Sequence, residues 1–261
     1  MIEVREVSKT FTLGNWPRLV RIQAVSAVSF TARNASITGL LGANGAGKTT
    51  TLRMVSSMVR PDNGEVLIDG ISVQKSSRLA LARLGMLTDA RGLYPRLTAR
   101  ENVVYFAMLH GMPRSKAEQR ATELAGLLDM LSIIDRRTQG FSQGERMKTA
   151  LARALVHDPQ NIILDEPTNG LDVVATRGLR TVLRRLRDSE GKCIVFSSHI
   201  MQEVERLCDE VVMIASGRNV AQGTVASLQA STGQTDFENC FVQLAFANIP
   251  QRQDSSGEKR T

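Results

Sequence analysis

Apolar residues in the first third of the chain come in short runs bounded by turn residues, which is the pattern of strands. Ile2 to Phe11 alternates weakly and reads as a strand, and Val25 to Phe30 reads as another. Gly14-Asn15-Trp16-Pro17 between them reads as a loop, with Trp16 as its anchor. Ile37 to Leu41 reads as a short buried strand, and Pro61-Asp62-Asn63-Gly64 as a turn into a strand at Glu65 to Gly70. From about Ala99 to Arg137 the spacing becomes helical. Val104 and Met108 repeat in Glu101 to Leu109, and Leu124, Leu127, Leu128 and Leu131 do so from Gln119 onward. Apolar runs resume at Ile162-Ile163-Leu164, Ile194-Val195-Phe196 and Val211-Val212-Met213-Ile214. Each follows helix-like sequence, which predicts an α/β fold with a parallel sheet. After about Val225 glycine turns and strong strands are lost, and from Gln251 the chain reads as a disordered polar tail. No internal repeat is found.

At 261 residues and 42% hydrophobic, the chain can bury a sizeable core, and 4% aromatic content leaves aliphatic side chains to fill it. The net charge of +7 suits a polyanion or an acidic membrane surface, although scattered surface cations give the same total. Cys193, Cys208 and Cys240 are odd in number and fit no metal-ligand spacing, which points to a reducing, cytoplasmic setting. Cys193 lies in an apolar run and reads as a small buried hydrophobe. No segment approaches the ~20 apolar residues that span a bilayer, and the first residues lack a signal-peptide layout. A soluble or peripheral protein is expected, with any membrane spans supplied by a partner.

Chemistry enters at Gly42-Ala43-Asn44-Gly45-Ala46-Gly47-Lys48-Thr49, which fits the phosphate-cradling G-x-x-x-x-G-K-S/T pattern. The glycines let the backbone turn left-handed and approach phosphates, and successive N–H groups form an anion nest. Lys48 brings a compact charge to the β- and γ-phosphates, and Thr49 offers a hydroxyl to Mg²⁺. The strand before the loop, and a helix predicted from Thr50 to Val59 after it, supply the context the motif requires.

Asn161 to Leu164 is an apolar strand that ends in Asp165 and Glu166. Beside a phosphate loop, Asp165 would hold Mg²⁺ and Glu166 would polarise an attacking water. Alone, the pair reads equally well as a strand leaving into a solvated acidic turn. Ser142, followed three residues later by Glu145, is a capping box. Such a helix start can take a phosphate, or be an ordinary well-capped helix. His199 follows a strand end, a favoured ligand position in this kind of sheet. His110 and His157 have no such context and read as surface or packing residues.

Together and in this order, these pieces resemble the ATPase subunit of an ATP-binding cassette (ABC) transporter, over about residues 2 to 225. The resemblance implies that fold: a P-loop NTPase, RecA-like parallel-sheet core, an N-terminal antiparallel β subdomain and an α-helical subdomain inserted at about 90–150. It leaves 226–261 as a short tail. It implies that Gly42, Ala43, Asn44, Gly45, Ala46, Gly47, Lys48, Thr49 and Thr50 form the Walker A loop, and that Phe141-Ser142-Gln143-Gly144-Glu145 is the signature motif. Ile162 to Glu166 becomes the Walker B strand, Leu171-Asp172 the D-loop and His199 the switch histidine. Phe11 falls where the family places an aromatic residue against adenine.

Two positions depart from the pattern. The signature usually reads Leu-Ser-Gly-Gly-Gln, whereas here Gln143 is third and Glu145 fifth. The Q-loop glutamine is replaced by Asp89, which is shorter and charged but able to reach Mg²⁺. The loop around Asp89, Leu97 to Asn102, Phe141 to Gly144 and Asp236 to Val242 are similar to the NatA-type sodium-exporting branch.

The resemblance implies ATP and Mg²⁺ bound in a head-to-tail dimer, with Ser142 and Gly144 of one copy covering the nucleotide of the other. It implies a multi-span permease docked near Asp89 and the helical block, a position on the cytoplasmic face of the membrane, and an export direction. Sodium is the cargo by branch resemblance alone. The rival reading is a non-transport ABC ATPase acting on nucleic acid or ribosomes. This chain holds one cassette, without a heptad run or cysteine pairs. Arg180, Arg184 and Arg185 read as a solvated helix face, because no aromatic residues interleave with them. A GTPase or small-molecule kinase is disfavoured by the signature helix and the absence of Asn-Lys-x-Asp.

Overall fold

The computed structural model describes residues 1–14, 19–88 and 92–246. The expectations for Trp16, Asp89 and the residues from Gln251 onward lie outside that range.

In chain order the elements are β1 (Ile2–Leu13), β2 (Val20–Ala32), β3 (Ser36–Leu41), α1 (Lys48–Val55), β4 (Asn63–Ile68), β5 (Ile71–Ser72), α2 (Ser77–Leu81) and β6 (Leu84–Leu87). Then follow α3 (Ala99–Leu109), α4 (Arg114–Leu127), α5 (Gln143–Leu155), β7 (Asn161–Asp165), α6 (Val173–Glu190), β8 (Cys193–Ser198) and α7 (Met201–Leu207). The described chain ends with β9 (Glu210–Ala215), β10 (Arg218–Gly223), α8 (Val225–Thr232) and α9 (Phe237–Phe246).

Two sheets form. One is four-stranded and antiparallel, ordered β2-β1-β4-β5; the other is six-stranded, ordered β10-β9-β3-β8-β7-β6. Within the larger sheet β9, β3, β8, β7 and β6 run parallel, and β10 closes the edge antiparallel to β9. Its strands are apolar on both faces because each face is covered. Ile162 and Leu164 of β7, with Ile194 and Phe196 of β8, pack against α3 to α6. Ile163 and Val195, one residue out of phase, pack with Leu52 of α1 and with Ile2, Val28 and Val66 of the antiparallel sheet. The two-residue period thus divides one set of strands between two cores.

The expected helical block is present as α3 and α4, which lie against α5. Helical spacing does not bring burial at two of its positions: Met108 is 48% and Leu131 59% exposed. Ala99, Val103, Val104 and Ala107 make the buried face of α3, which rotates Met108 outward, and Leu131 falls beyond the end of α4. The helix after the phosphate loop begins at Lys48 and stops at Val55, earlier at both ends than the spacing suggests. Among the described residues beyond Val225 no strand forms, but a glycine turn does: Gly233 ends α8 at φ 69. Phe237, Cys240 and Phe241 of α9 then pack on Leu41, Val211 and Met213. Cys193 is fully buried, as its apolar context predicts. Among the described residues no helix is long and apolar enough to cross a membrane.

His110, which ends α3, stacks on His157, which follows α5; the ring centroids are 3.8 Å apart and the planes 3° from parallel. His157 Nε2–H donates to the Leu84 carbonyl at 3.1 Å. Burial, reinforced by His110, pushes the His157 pKa down to about 4. The expectation of a packing role is met by His157, and the pair ties the helical block to the edge of the main sheet.

Candidate nucleotide site

The carboxyl ends of β3, β8 and β7 lie side by side, with Leu41 level with Ser198 and Asp165 level with Ser197. A doubly covered parallel sheet binds ligands at that edge. Three segments that are far apart in sequence therefore meet there: the loop after β3, the pair ending β7, and His199 after β8.

The loop is held from behind. Ala46 O accepts from Gly217 N at 2.9 Å, and Gly217 O accepts from Ser26 N at 2.7 Å. A Cβ on Gly42 would stand 2.3 Å from Ile214 O, so that position admits only glycine. Gly47, at φ 109, starts α1, and a Cβ there would meet Ala24 O at 2.7 Å. Lys48 is buried, and its Nζ donates to Gly42 O at 2.7 Å and pairs with Glu166 Oε1 at 3.2 Å.

Opposite the loop, Asp165 is 3% exposed, and its Oδ1 accepts from Thr49 Oγ1 at 3.2 Å and from Ser197 Oγ at 2.7 Å. Ser197 Oγ in turn accepts from the Glu166 amide at 2.9 Å. Glu166 takes a left-handed φ of 48, which turns its side chain back over the loop. Its second oxygen, Oε2, lies 2.9 Å from His199 Nδ1. Lys48, Glu166 and His199 thus form a chain of contacts across one cleft of about 780 Å³. Ala43, Asn44, Gly45, Ala46, Gly47, Thr49 and Thr50 also line it, with Asp165.

Sequence reasoning missed Ser197, which is buried behind the cleft, and several residues that line it. Ser197 sits where the parallel register sets it against Asp165. Arg53 shares a face of α1 with Thr50, three residues away, and Met86 and Thr88 bring in the end of β6. Thr88 directly precedes Asp89.

Phe11 is not among the lining residues. It pairs across the ribbon with Ile22, two residues before the cleft residue Ala24, and Lys9 Nζ lies 5.8 Å over its ring.

Ser142, Gln143, Gly144 and Asp172 line a different cleft, between α4, α5 and α6. Ser142 caps α5: its Oγ accepts from Glu145 N at 3.2 Å, and Glu145 Oε2 accepts from Ser142 N at 2.8 Å. The Ser142 amide, with Arg136 3.0 Å away, holds the Glu145 carboxyl below its ordinary pKa. Asp172 caps α6, its Oδ1 accepting from Ala175 N at 2.7 Å. The expected arginine face of α6 is partly engaged within the fold. Arg180 is 3.9 Å from Glu203, Arg184 donates to Arg206 O at 2.6 Å, and Arg187 pairs with Asp209 at 2.7 Å.

Known proteins share this construction. Residues 25–169 match the ABC transporter family. The chain is 42% identical over 229 residues to the ABC transporter ATP-binding protein NatA of Bacillus subtilis (strain 168), covering 87% of this chain and 93% of that protein. It is 36% identical to the Nod factor export ATP-binding protein I of Paraburkholderia xenovorans (strain LB400), over 90% of this chain and 79% of that one. Among solved structures it is similar to a bacterial ABC transporter cassette determined as a dimer. That match has a TM-score of 0.77 at 25% identity and covers 86% of this chain and 98% of that one. The family match over residues 25–169 and the 42% identity to NatA across most of both chains show that this chain belongs to the ABC transporter family, as an ATP-binding subunit with ATPase activity.

Proposed function

We propose that this ATPase powers an exporter as a head-to-tail dimer on a multi-span membrane permease at the cytoplasmic face of the membrane, with sodium ions as the cargo. One observation carries the dimer: Ser142 and Gly144 line a cleft separate from the one lined by Lys48 and Glu166. Within one copy the signature helix has no phosphate to meet, so its positive end serves the nucleotide of a second copy. Val173 and Val174, beside Asp172, are 75% and 81% exposed, which supports an interface there.

In this mechanism the loop amides from Gly42 to Thr50 cradle the triphosphate and Lys48 neutralises its β- and γ-oxygens. Phe11 stacks on the adenine, and Asp172 helps to set the interface. Glu166 polarises the attacking water and His199 holds the γ-phosphate and that water in line. Hydrolysis gives ADP and phosphate and lets the dimer reopen, which moves the permease docked near the end of β6 and the helical block. The hydroxyl of Thr49 and the carboxylate of Asp165 converge within 3.2 Å and are hard oxygen donors, a set that fits Mg²⁺. Asp89, the residue after Thr88, is proposed as a further oxygen ligand. Bound Mg²⁺ supplies charge neutralisation on the phosphates. Export is favoured by the Nod factor export relative, and sodium by similarity to the NatA branch.

Glu166→Gln tests the site: it keeps ATP binding, nearly abolishes hydrolysis and accumulates an ATP-bound dimer. Full turnover by that variant overturns the assignment. Sodium efflux from cells that carry the permease, unchanged on deletion of this subunit, removes sodium as the cargo.

A further inference from the structure

The fifth residue of the signature motif is a carboxylate, Glu145, in the first turn of α5. In the composite site of the head-to-tail dimer, that turn meets the phosphates of a second copy. An uncompensated carboxylate there would oppose the positive helix end and repel the nucleotide.

Both carboxylate oxygens are already engaged. Oε2 accepts from Ser142 N at 2.8 Å, and Oε1 accepts from Arg136 Nη1 at 3.0 Å. The Arg136 guanidinium also lies 5.4 Å from the ring of Phe141, the residue before the cap. Its backbone is fixed too, because Arg136 O accepts from Ala99 N at 3.1 Å, at the start of α3. The arginine is therefore held by two side-chain contacts on the capping-box side and one backbone contact at the start of α3.

We propose that Arg136 is a positioning residue for the ATP-bound dimer, a role that rests on the composite site. It cancels the charge of Glu145 and fixes that side chain in the capping box, so that Ser142 and Gly144 meet the partner's triphosphate on a helix end whose positive dipole is not offset by the carboxylate. In the free subunit Arg136 is 57% exposed, where an ion pair contributes little to stability. Its effect emerges when the second copy covers it and water no longer screens the carboxylate.

The test uses the full chain in the Glu166→Gln background, with the ATP concentration for half-maximal dimer formation read by size-exclusion chromatography with light scattering. Arg136→Gln raises that concentration about tenfold, the effect of losing one charge-assisted contact at a closing interface. Glu145→Gln, which removes the charge that needs cancelling, lowers it. In the Glu145→Gln background, Arg136→Gln changes it by less than about twofold, since the coupling measures the pair alone. Binding of a fluorescent ATP analogue to dilute monomer is the same in all four proteins. A structural role would instead lower the melting temperature and persist in the double variant. A dimerising parent on which Arg136→Gln has no effect, or the same effect in both backgrounds, overturns the proposal alone. A parent that stays monomeric at saturating ATP overturns the composite site and this proposal with it.

Discussion

Ser197 donates its hydroxyl to Asp165 at 2.7 Å, and the same oxygen accepts the Glu166 amide at 2.9 Å. One buried side chain on β8 therefore fixes two consecutive acidic residues, the last of β7 and the one that follows it. Ser197→Ala leaves a buried carboxylate and an amide each short of a partner, a cost of about 1–3 kcal/mol. Denaturant unfolding measures that loss. Because both carboxylates lose their alignment while the phosphate loop keeps its own contacts, kcat at saturating ATP falls at least about tenfold and KM stays within about twofold. A variant with unchanged kcat would show that the Glu166 backbone needs no such support.

Glu166 sits at φ 48, a conformation that costs a residue with a Cβ. Elsewhere glycine is less stable than alanine, but at this position the order reverses. Glu166→Gly is expected to be about 1 kcal/mol more stable than Glu166→Ala, both having lost the carboxylate. Thermal melts of the two inactive proteins decide it, and an alanine variant at least as stable as the glycine variant contradicts the strain.

The glycines of the loop separate by mechanism. At Gly42 a Cβ would meet backbone, 2.3 Å from Ile214 O, whereas at Gly45 there is open space and only a φ of 79 to tolerate. Gly45→Ala costs about 1–2 kcal/mol and retains ATP binding, because an αL residue is strained but not excluded. Gly42→Ala must move the loop off the β9–β10 turn and loses the thermal shift that ATP confers. Equal behaviour of the two variants would mean that loop conformation, not space, governs both.

The parts of the fold that were legible were those whose signal is local. β3, β7, β8 and β9 are apolar runs that need no partner to be recognised, and the phosphate loop and capping box are spelled by consecutive residues. Ser197 was not legible, since its role depends on the parallel register that sets it opposite Asp165. Nor was the stack of His110 on His157, which joins residues 47 positions apart through packing. The long ribbon of β1 and β2 alternates only weakly because it carries register shifts near Val7 and Lys9. The helical spacing around Met108 was genuine, but α3 buries the face carrying Val103 and Ala107.

His157 gives the fold a pH dependence. Burial lowers its pKa from 6.5 to about 4, so below pH 6.5 the unfolded chain takes up a proton that the folded chain refuses. Stability is therefore undiminished above pH 6.5 and falls as pH drops from there towards 4. Allowing for screening of a partly exposed ring, the loss between pH 7 and pH 5 is about 1 kcal/mol. Urea unfolding at both pH values detects it, and His157→Leu removes that part of the slope. A slope unchanged in the variant assigns the dependence to other groups.

Phe11 tests the outer end of the nucleotide site. Its ring and Ile22 face the same side of the β1–β2 ribbon, beyond the wall that Ala24 contributes to the phosphate cleft. None of the phosphate contacts passes through it, so Phe11→Ala should weaken the hold on the base alone. Loss of one aromatic stacking partner is worth about 1–3 kcal/mol, roughly tenfold or more in ATP affinity. Inorganic triphosphate, which has no base, should bind the variant and the parent equally in a calorimetric titration. Phe11→Tyr should restore ATP binding because it keeps the ring. If Phe11→Ala weakened ATP and triphosphate alike, the ribbon would be shaping the loop; if it weakened neither, the adenine would lie elsewhere.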